Sequence, residues 1–112
     1  MPWLVSDARV FASAEVASSR SARRQGLLRR DGLEGALVLR PCRWIHTVGV
    51  RFALDVAYLD ADGVVVKTVH MTPNRVGMPV RGAQAVIEAE AGAFERWGLC
   101  VGDVVEVRDD DT

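Results

Sequence analysis

Short apolar runs separated by turn residues recur along this chain, and they predict a strand-rich fold. The runs with the length and composition of strands are Pro2–Val5, Arg9–Val16, Ala36–Leu39, Leu54–Leu59, Val64–Val69, Ala85–Glu90 and Val104–Val107. The strongest local signal is the hairpin predicted at Asp60-Ala61-Asp62-Gly63, because Gly63 can adopt a positive φ between two β-prone runs.

Two segments carry helix signals instead. Ser18-Ser19 supplies N-cap hydroxyls for a basic helix that runs to about Leu28. Ala91–Trp97 suits a second short helix, since Phe94 and Trp97 share one face and Gly98 can end it. The segments around 42–52 and 71–82 show no clear period and are predicted to be loops.

Together these elements predict an α+β fold. We expect about six or seven short strands in a small, barrel-like, mostly antiparallel sheet with two short helices. The length of 112 residues fits one domain, which we place at 1–108. Residues 109–112 read as an acidic tail that we expect to be disordered.

Composition narrows the class of protein. Apolar residues make up 49% of the chain and charged residues 26%, which is ordinary globular usage and argues against disorder. The formal net charge of −1 gives no overall attraction to nucleic acid or to an anionic membrane, so neither is expected as a partner.

The N-terminal sequence and the length of the apolar runs predict the cell compartment. Residues 1–7 show neither a basic region nor an apolar core of a secretory signal, so a cytoplasmic location is expected. Cys42 and Cys100 should then be thiols rather than a disulfide. Their spacing forms no metal or redox motif, and we expect no metal or cofactor.

Three groups of short motifs follow one another along the chain in a characteristic order. The opening is Arg24-x-Gly26-Leu27-Leu28 with Leu33-x-Gly35-Ala36-Leu37, the centre runs from His46-Thr47 to Gly63-x-Val65, and the close runs from Ala85-Val86-Ile87-Glu88 to Gly102-Asp103. Over residues 20–107 the chain resembles the small bacterial family named Domain of Unknown Function 192. The resemblance implies a compact α+β fold with a barrel-like sheet, and it implies no activity.

The candidate chemistry is concentrated between Cys42 and Asp55. The candidate ligand-binding residues are Trp44, His46, Thr47, Arg51 and Asp55. An imidazole can act as acid, base or ligand, and Asp55 could fix its tautomer. Equally, His46 could only pin the loop, and Asp55 could accept backbone N–H groups or pair with Arg51. Trp44 could wall a pocket together with the loop 71–81, or plug one end of the sheet.

Two further features have surface or core interpretations beside functional ones. Cys42 could form a nucleophile with His46, although a buried, inert thiol is favoured. The arginines between Arg20 and Arg30 could grip a phosphate or an acidic partner, although a solvated helix face is favoured.

Three function classes therefore remain open. The preferred hypothesis is a module that binds a small polar or anionic ligand around His46 and Asp55. The first alternative is a hydrolase or transferase that uses His46 with Asp55 or Cys42, and we lean against an enzyme because no recognised catalytic arrangement is present. The second is a scaffold or protein-interaction domain with a protein partner.

Overall fold

Seven strands form one sheet with two short helices in the computed structural model, which describes residues 1–109. The strands are β1 (Pro2–Ser6), β2 (Arg9–Ala17), β3 (Ala36–Leu39), β4 (Leu54–Leu59), β5 (Val65–Met71), β6 (Ala85–Glu90) and β7 (Glu106–Asp109). The helices are α1 (Arg20–Gln25) and α2 (Ala93–Trp97). The mostly antiparallel, strand-rich fold with two short helices is therefore confirmed.

The sheet is mixed and open. Its strand order is β5-β4-β6-β3-β2-β1-β7, and every neighbouring pair is antiparallel except β2 and β3. The crossover through α1 makes that one pair parallel, because a parallel connection must return along the sheet before the next strand begins.

The sheet is not closed into a barrel, in contrast to the barrel-like sheet expected from the sequence. Closure would need a continuous ladder between the edge strands β5 and β7. In the described part of the chain the two edges meet at one isolated bridge, Val64 with Val104, just before each strand begins. The turn residues on either side of that bridge end the pairing.

Gly63 sits where these two edges meet. Its φ is 82°, and a Cβ there would lie 2.5 Å from the Val105 carbonyl oxygen, while the Val105 N–H donates to the Gly63 carbonyl at 2.8 Å. Only a residue without a side chain allows this approach.

We expect Gly63→Ala to lower the free energy of unfolding by about 2 kcal/mol, since it adds a backbone clash to the strain of a positive φ. Gly82→Ala is the matched control, because Gly82 also has φ 82° but no atom lies within 4 Å of the place that its Cβ would take. Urea denaturation of both variants measures the difference. Equal losses in the two variants would contradict a close contact between the sheet edges.

Each face of the sheet carries its own core. Consecutive strand residues point to opposite faces, so Ile87 packs with Phe11 and Phe94 on one face while Val86 packs with Tyr58 on the other. The second face lies under α1 and under the loops that follow β3 and β5. A polar residue on this face of β6 would therefore be enclosed by α1 and these loops.

Helix α1 is short because its end is set by glycine. The Ser19 hydroxyl accepts a hydrogen bond from the Ala22 N–H at 3.1 Å, as predicted for the N-cap. Gly26 takes φ 47° and ends the helix at Gln25, earlier than the predicted end near Leu28.

The last strand ends close to the C-terminus of the chain, and both helices are short. Asp109 is the last residue of β7, and residues 110–112 of the predicted acidic tail lie outside the described residues. Between residues 1 and 109, neither helix has the length and hydropathy needed to span a bilayer.

Candidate functional site

Two loops that the sequence singled out lie side by side on the second face of the sheet. We name residues 42–53 the first loop and residues 72–84 the second loop. The Gly77 N–H donates to the Ile45 carbonyl at 3.0 Å, and the indole N–H of Trp44 donates to the Gly77 carbonyl at 2.7 Å. These contacts hold the first loop as a defined wall above the sheet.

Thr47 joins the two loops. Its side chain is fully buried, and its hydroxyl donates to the Thr72 carbonyl at 2.7 Å and accepts from the Arg75 N–H at 2.9 Å. Its backbone N–H donates to the Arg75 carbonyl at 2.7 Å. With donor and acceptor both occupied, this hydroxyl holds the loops together.

A cleft of about 330 Å³ lies between α1 and the first loop. Three arginines of α1 line one side, namely Arg20, Arg23 and Arg24. Cys42, Trp44 and His46 of the first loop line the other side. The cleft thus joins the arginine cluster and the His46 loop, which the sequence had presented as separate features.

Glu88 of β6 forms the floor of this cleft. Its side chain is only 4% exposed, because Leu37 and Val56 lie beside it on the same face of the neighbouring strands. Within residues 1–109 no hydrogen bond or ion pair engages its carboxyl, and no oxygen of it is sealed off without a partner. The carboxyl group is therefore in contact with the cleft.

Burial raises the pKa of Glu88 to about 7, and the nearby charge of Arg30 opposes this only in part. Arg30 is committed elsewhere, since its guanidinium donates to both carboxylate oxygens of Glu15 at 2.7 and 3.2 Å. The hydrogen bonds from Arg30 hold the pKa of Glu15 below its usual value. Glu88 is thus a buried acid without a dedicated cation among the described residues.

His46 and Trp44 form a small aromatic pair at the cleft. Their ring centroids lie 5.7 Å apart in an edge-on arrangement. His46 Nδ1 accepts from the Val48 N–H at 3.2 Å, so in the neutral imidazole the proton is on Nε2. The imidazole therefore has one nitrogen available as a donor.

Asp55 and Arg51 are not part of this cleft. Asp55 lies on the opposite face of β4 from Val56, where one of its oxygens accepts from the Gly92 and Phe94 N–H groups at 2.9 and 3.1 Å. This carboxylate caps the start of α2, and its other oxygen lies 3.8 Å from His70 Nδ1. Arg51 pairs with Asp31 at 2.9 Å on the surface.

Cys42 is a half-buried thiol in the wall of the cleft. Its Sγ donates to the Trp44 carbonyl at 3.2 Å. Burial, assisted by the charge of Glu88, raises its pKa, so the thiol form is favoured over the nucleophilic thiolate. Cys42 and Cys100 are both free. Across residues 1–109, no three His, Cys, Asp or Glu side chains lie close enough together to hold a metal ion.

Glu88 is a candidate site residue that the sequence analysis did not identify. The signal was an acid in the middle of the apolar strand Ala85–Glu90, where a carboxylate is costly unless it has a partner or a purpose. A cleft of about 370 Å³ beside the β4–β5 hairpin is larger, but Asp60 there already accepts from the Asp62 and Val64 N–H groups, and its other acids, Asp62 and Glu106, are exposed. Chemistry rather than volume therefore selects the Glu88 cleft.

These features define a small, open-sheet protein with a polar cleft over one face of its central strands. Residues 4–107 match the DUF192 family, described as "Uncharacterized ACR", and the chain belongs to this family. No curated protein matches the sequence.

Two solved structures share the fold. A crystal structure of a protein of unknown function from Novosphingobium aromaticivorans is similar with a TM-score of 0.80 and 25% identity, over 94% of this chain and 83% of that one. A crystal structure from Sinorhizobium meliloti, of a protein described as a candidate transcription regulator, is similar with a TM-score of 0.79 and 21% identity, over 95% and 91%. The second likeness shows the fold alone.

Proposed function

We propose that this protein is a small-ligand-binding module whose ligand carries negative charge and enters the cleft between α1 and the first loop. The observation that carries the proposal is the group of three α1 arginines along a cleft whose floor holds the buried Glu88 carboxyl, which has no partner among the described residues. A buried acid of this kind destabilises the folded protein, and such a cost is typical of a binding site rather than of a scaffold.

The surroundings of the cleft support a small anionic ligand. Arg20 and Arg24 are exposed at its mouth, where guanidinium groups can pair with a carboxylate or phosphate through two hydrogen bonds each. The volume of about 330 Å³ is at the low end of the range of roughly 300–1,000 Å³ that ligand pockets have. Trp44 provides an apolar wall.

The enzyme alternative has less support. A nucleophile of the Cys–His type needs a lowered thiol pKa, whereas burial raises the pKa of Cys42. Asp55 caps α2 on the other face of the sheet, so it does not orient His46.

The cytoplasmic location stays a prediction.

Protein interaction is a second candidate function, favoured by exposed apolar side chains of the second loop. Val76 and Met78 are 67% and 75% exposed, and they flank Gly77, whose carbonyl accepts from Trp44. Concentration-dependent sedimentation that Val76→Ser abolishes, together with no response to any small ligand, would favour this function.

The binding proposal is tested by NMR titration of the labelled protein with inorganic phosphate and with carboxylates from acetate to pentanoate. We expect saturable shifts in the Trp44 indole N–H and in the backbone amides of α1 and the first loop. In Arg20→Gln/Arg24→Gln the affinity should fall about tenfold or more, which corresponds to about 1.4 kcal/mol.

The matched control is Arg81→Gln/Arg96→Gln. It removes the same charge from exposed arginines that do not line the cleft, so its affinity should equal that of the wild type. Equal losses in the two double variants would show only non-specific attraction by net charge and would overturn the site. The absence of any shift in the cleft with every one of these probes, and with the amino acids tested below, would overturn the binding function.

A further inference from the structure

The cleft has opposite charge at its two ends. Glu88 lies at the buried floor, and Arg20 and Arg24 lie at the exposed mouth, while the half-buried Arg23 also lines the cleft and its charge acts on Cys42. An anion without a positive group would meet the arginines favourably but would meet a carboxylate at the floor. A simple cation would match the floor but would have to pass the arginines.

No group of the described protein resolves this opposition. Arg30, whose charge reaches Glu88, donates to both oxygens of Glu15. The other titratable or charged groups that face Glu88 are the three arginines of α1, Cys42 and His46 of the first loop, and Tyr58 of β4. The Arg23 guanidinium is partly engaged, because it donates to the Ser18 carbonyl.

We propose that the ligand is a small zwitterion, whose ammonium group pairs with the Glu88 carboxylate and whose anionic group pairs with the arginines of α1. This inference rests on the proposed binding function and names the class of ligand. A zwitterion is complementary to both ends at once, since charge-assisted hydrogen bonds form at the floor and at the mouth. The fixed separation of the two ends makes the cleft selective for ligand length.

Binding is coupled to a proton. Burial of Glu88 raises its pKa to about 7, so near neutral pH part of the protein holds a protonated carboxyl. The ammonium group binds the carboxylate form, and the carboxyl proton then leaves to solvent. Affinity for the zwitterion should therefore rise as the pH increases from 6 through about 7 and level off above it.

The test compares acids that differ only in an amine. Calorimetric titrations of the wild type with glycine, β-alanine, 4-aminobutanoate and 5-aminopentanoate are set beside acetate, propanoate, butanoate and pentanoate. We expect one amino acid to bind about tenfold or more tightly than its matched acid, which corresponds to about 1.4 kcal/mol. Its measured heat should depend on the ionisation enthalpy of the buffer, because a proton is released.

Two variants test which side chain causes the preference for the amine and the release of the proton. Glu88→Gln should abolish the preference for the amine and the proton release while leaving the affinity for the unsubstituted acid equal or greater. His46→Asn should retain both, because the imidazole is not the group that meets the ammonium.

The outcomes separate the inference from the proposed function. If the unsubstituted acids bind in the cleft and no amine improves affinity, or if Glu88→Gln keeps the preference, the zwitterion is overturned while the anion site stands. If neither series binds, the proposed function and this inference both fail.

Discussion

Glu88→Gln is expected to raise the free energy of unfolding at pH 8 by about 3 kcal/mol, while it removes the carboxylate that we propose pairs with the ammonium group of the ligand. The pKa of Glu88 is about 7 in the folded protein, against an ordinary value of 4.5. An acid whose pKa is raised by folding is stabilised in its protonated form. Above both values the ionised carboxylate therefore costs the folded state free energy that a neutral amide does not cost.

The sign of the pH dependence follows from the same two values. Below pH 4.5 Glu88 is protonated in both states and costs nothing. Between pH 4.5 and about 7 the unfolded state ionises first, so the wild type loses stability as the pH rises, and above that range the loss is constant. Glu15 acts in the opposite sense and only below this range, because its folded pKa is lowered.

Urea denaturation at pH 5, 6, 7 and 8 checks this result. The wild type should weaken across the series, Glu88→Gln should not, and the difference between them should shrink to about 1 kcal/mol or less at pH 5. The exposed Glu34 provides the control, since Glu34→Gln should keep the wild-type profile. Parallel profiles for the wild type and Glu88→Gln would contradict a buried carboxyl at this position. Higher stability combined with a lost preference for the amine is the trade-off that a functional acid produces.

Thr47→Val is expected to lower the free energy of unfolding by about 3 kcal/mol, because it removes the buried hydroxyl that bonds two backbone groups of the second loop. The valine keeps the shape of threonine and removes its hydroxyl. The Arg75 N–H then loses its acceptor and the Thr72 carbonyl loses its donor, beside a residue 47 that is 0% exposed. The second loop should detach from the first.

Urea denaturation measures the loss of stability, and amide hydrogen exchange locates it. Exchange should accelerate in residues 43–50 and 72–80 and stay unchanged in β1 and β7. Thr68→Val, on the exposed edge strand β5, is the control and should change stability by no more than about 0.5 kcal/mol. If Thr47→Val kept the stability and exchange of the wild type, Thr47 would not hold the loops, and its role would have to be sought at the ligand.

The candidate site was predictable in part. Trp44 and His46 were candidates on their residue types, and both line the cleft, but the cleft lies against α1 and not against the loop 71–81 with which Trp44 was expected to wall a pocket. Asp55 and Arg51 were candidates because they are close to His46 in sequence. In the folded chain Asp55 caps α2, since each step along β4 reverses the face of the sheet to which a side chain points.

Glu88, by contrast, could not be assigned to the candidate site from the sequence. It is more than 40 residues from His46 in sequence, and no local pattern connects a strand acid to a distant loop. The arginines of α1 likewise resembled any solvated helix face. Only the crossover between β2 and β3 brings them over the face of β6 on which Glu88 lies.

By itself the sequence determined the secondary structure and the family. The strands Ala36–Leu39, Leu54–Leu59 and Ala85–Glu90 and the Ser19 cap agree with the structure because apolar alternation, turn residues and capping act over a few neighbouring residues. Tertiary structure alone decided that the sheet stays open and that Glu88, the arginines and His46 share one cleft. The physical reason is that strand order, register and burial depend on contacts between distant segments, and those contacts set the charge and pKa of the site.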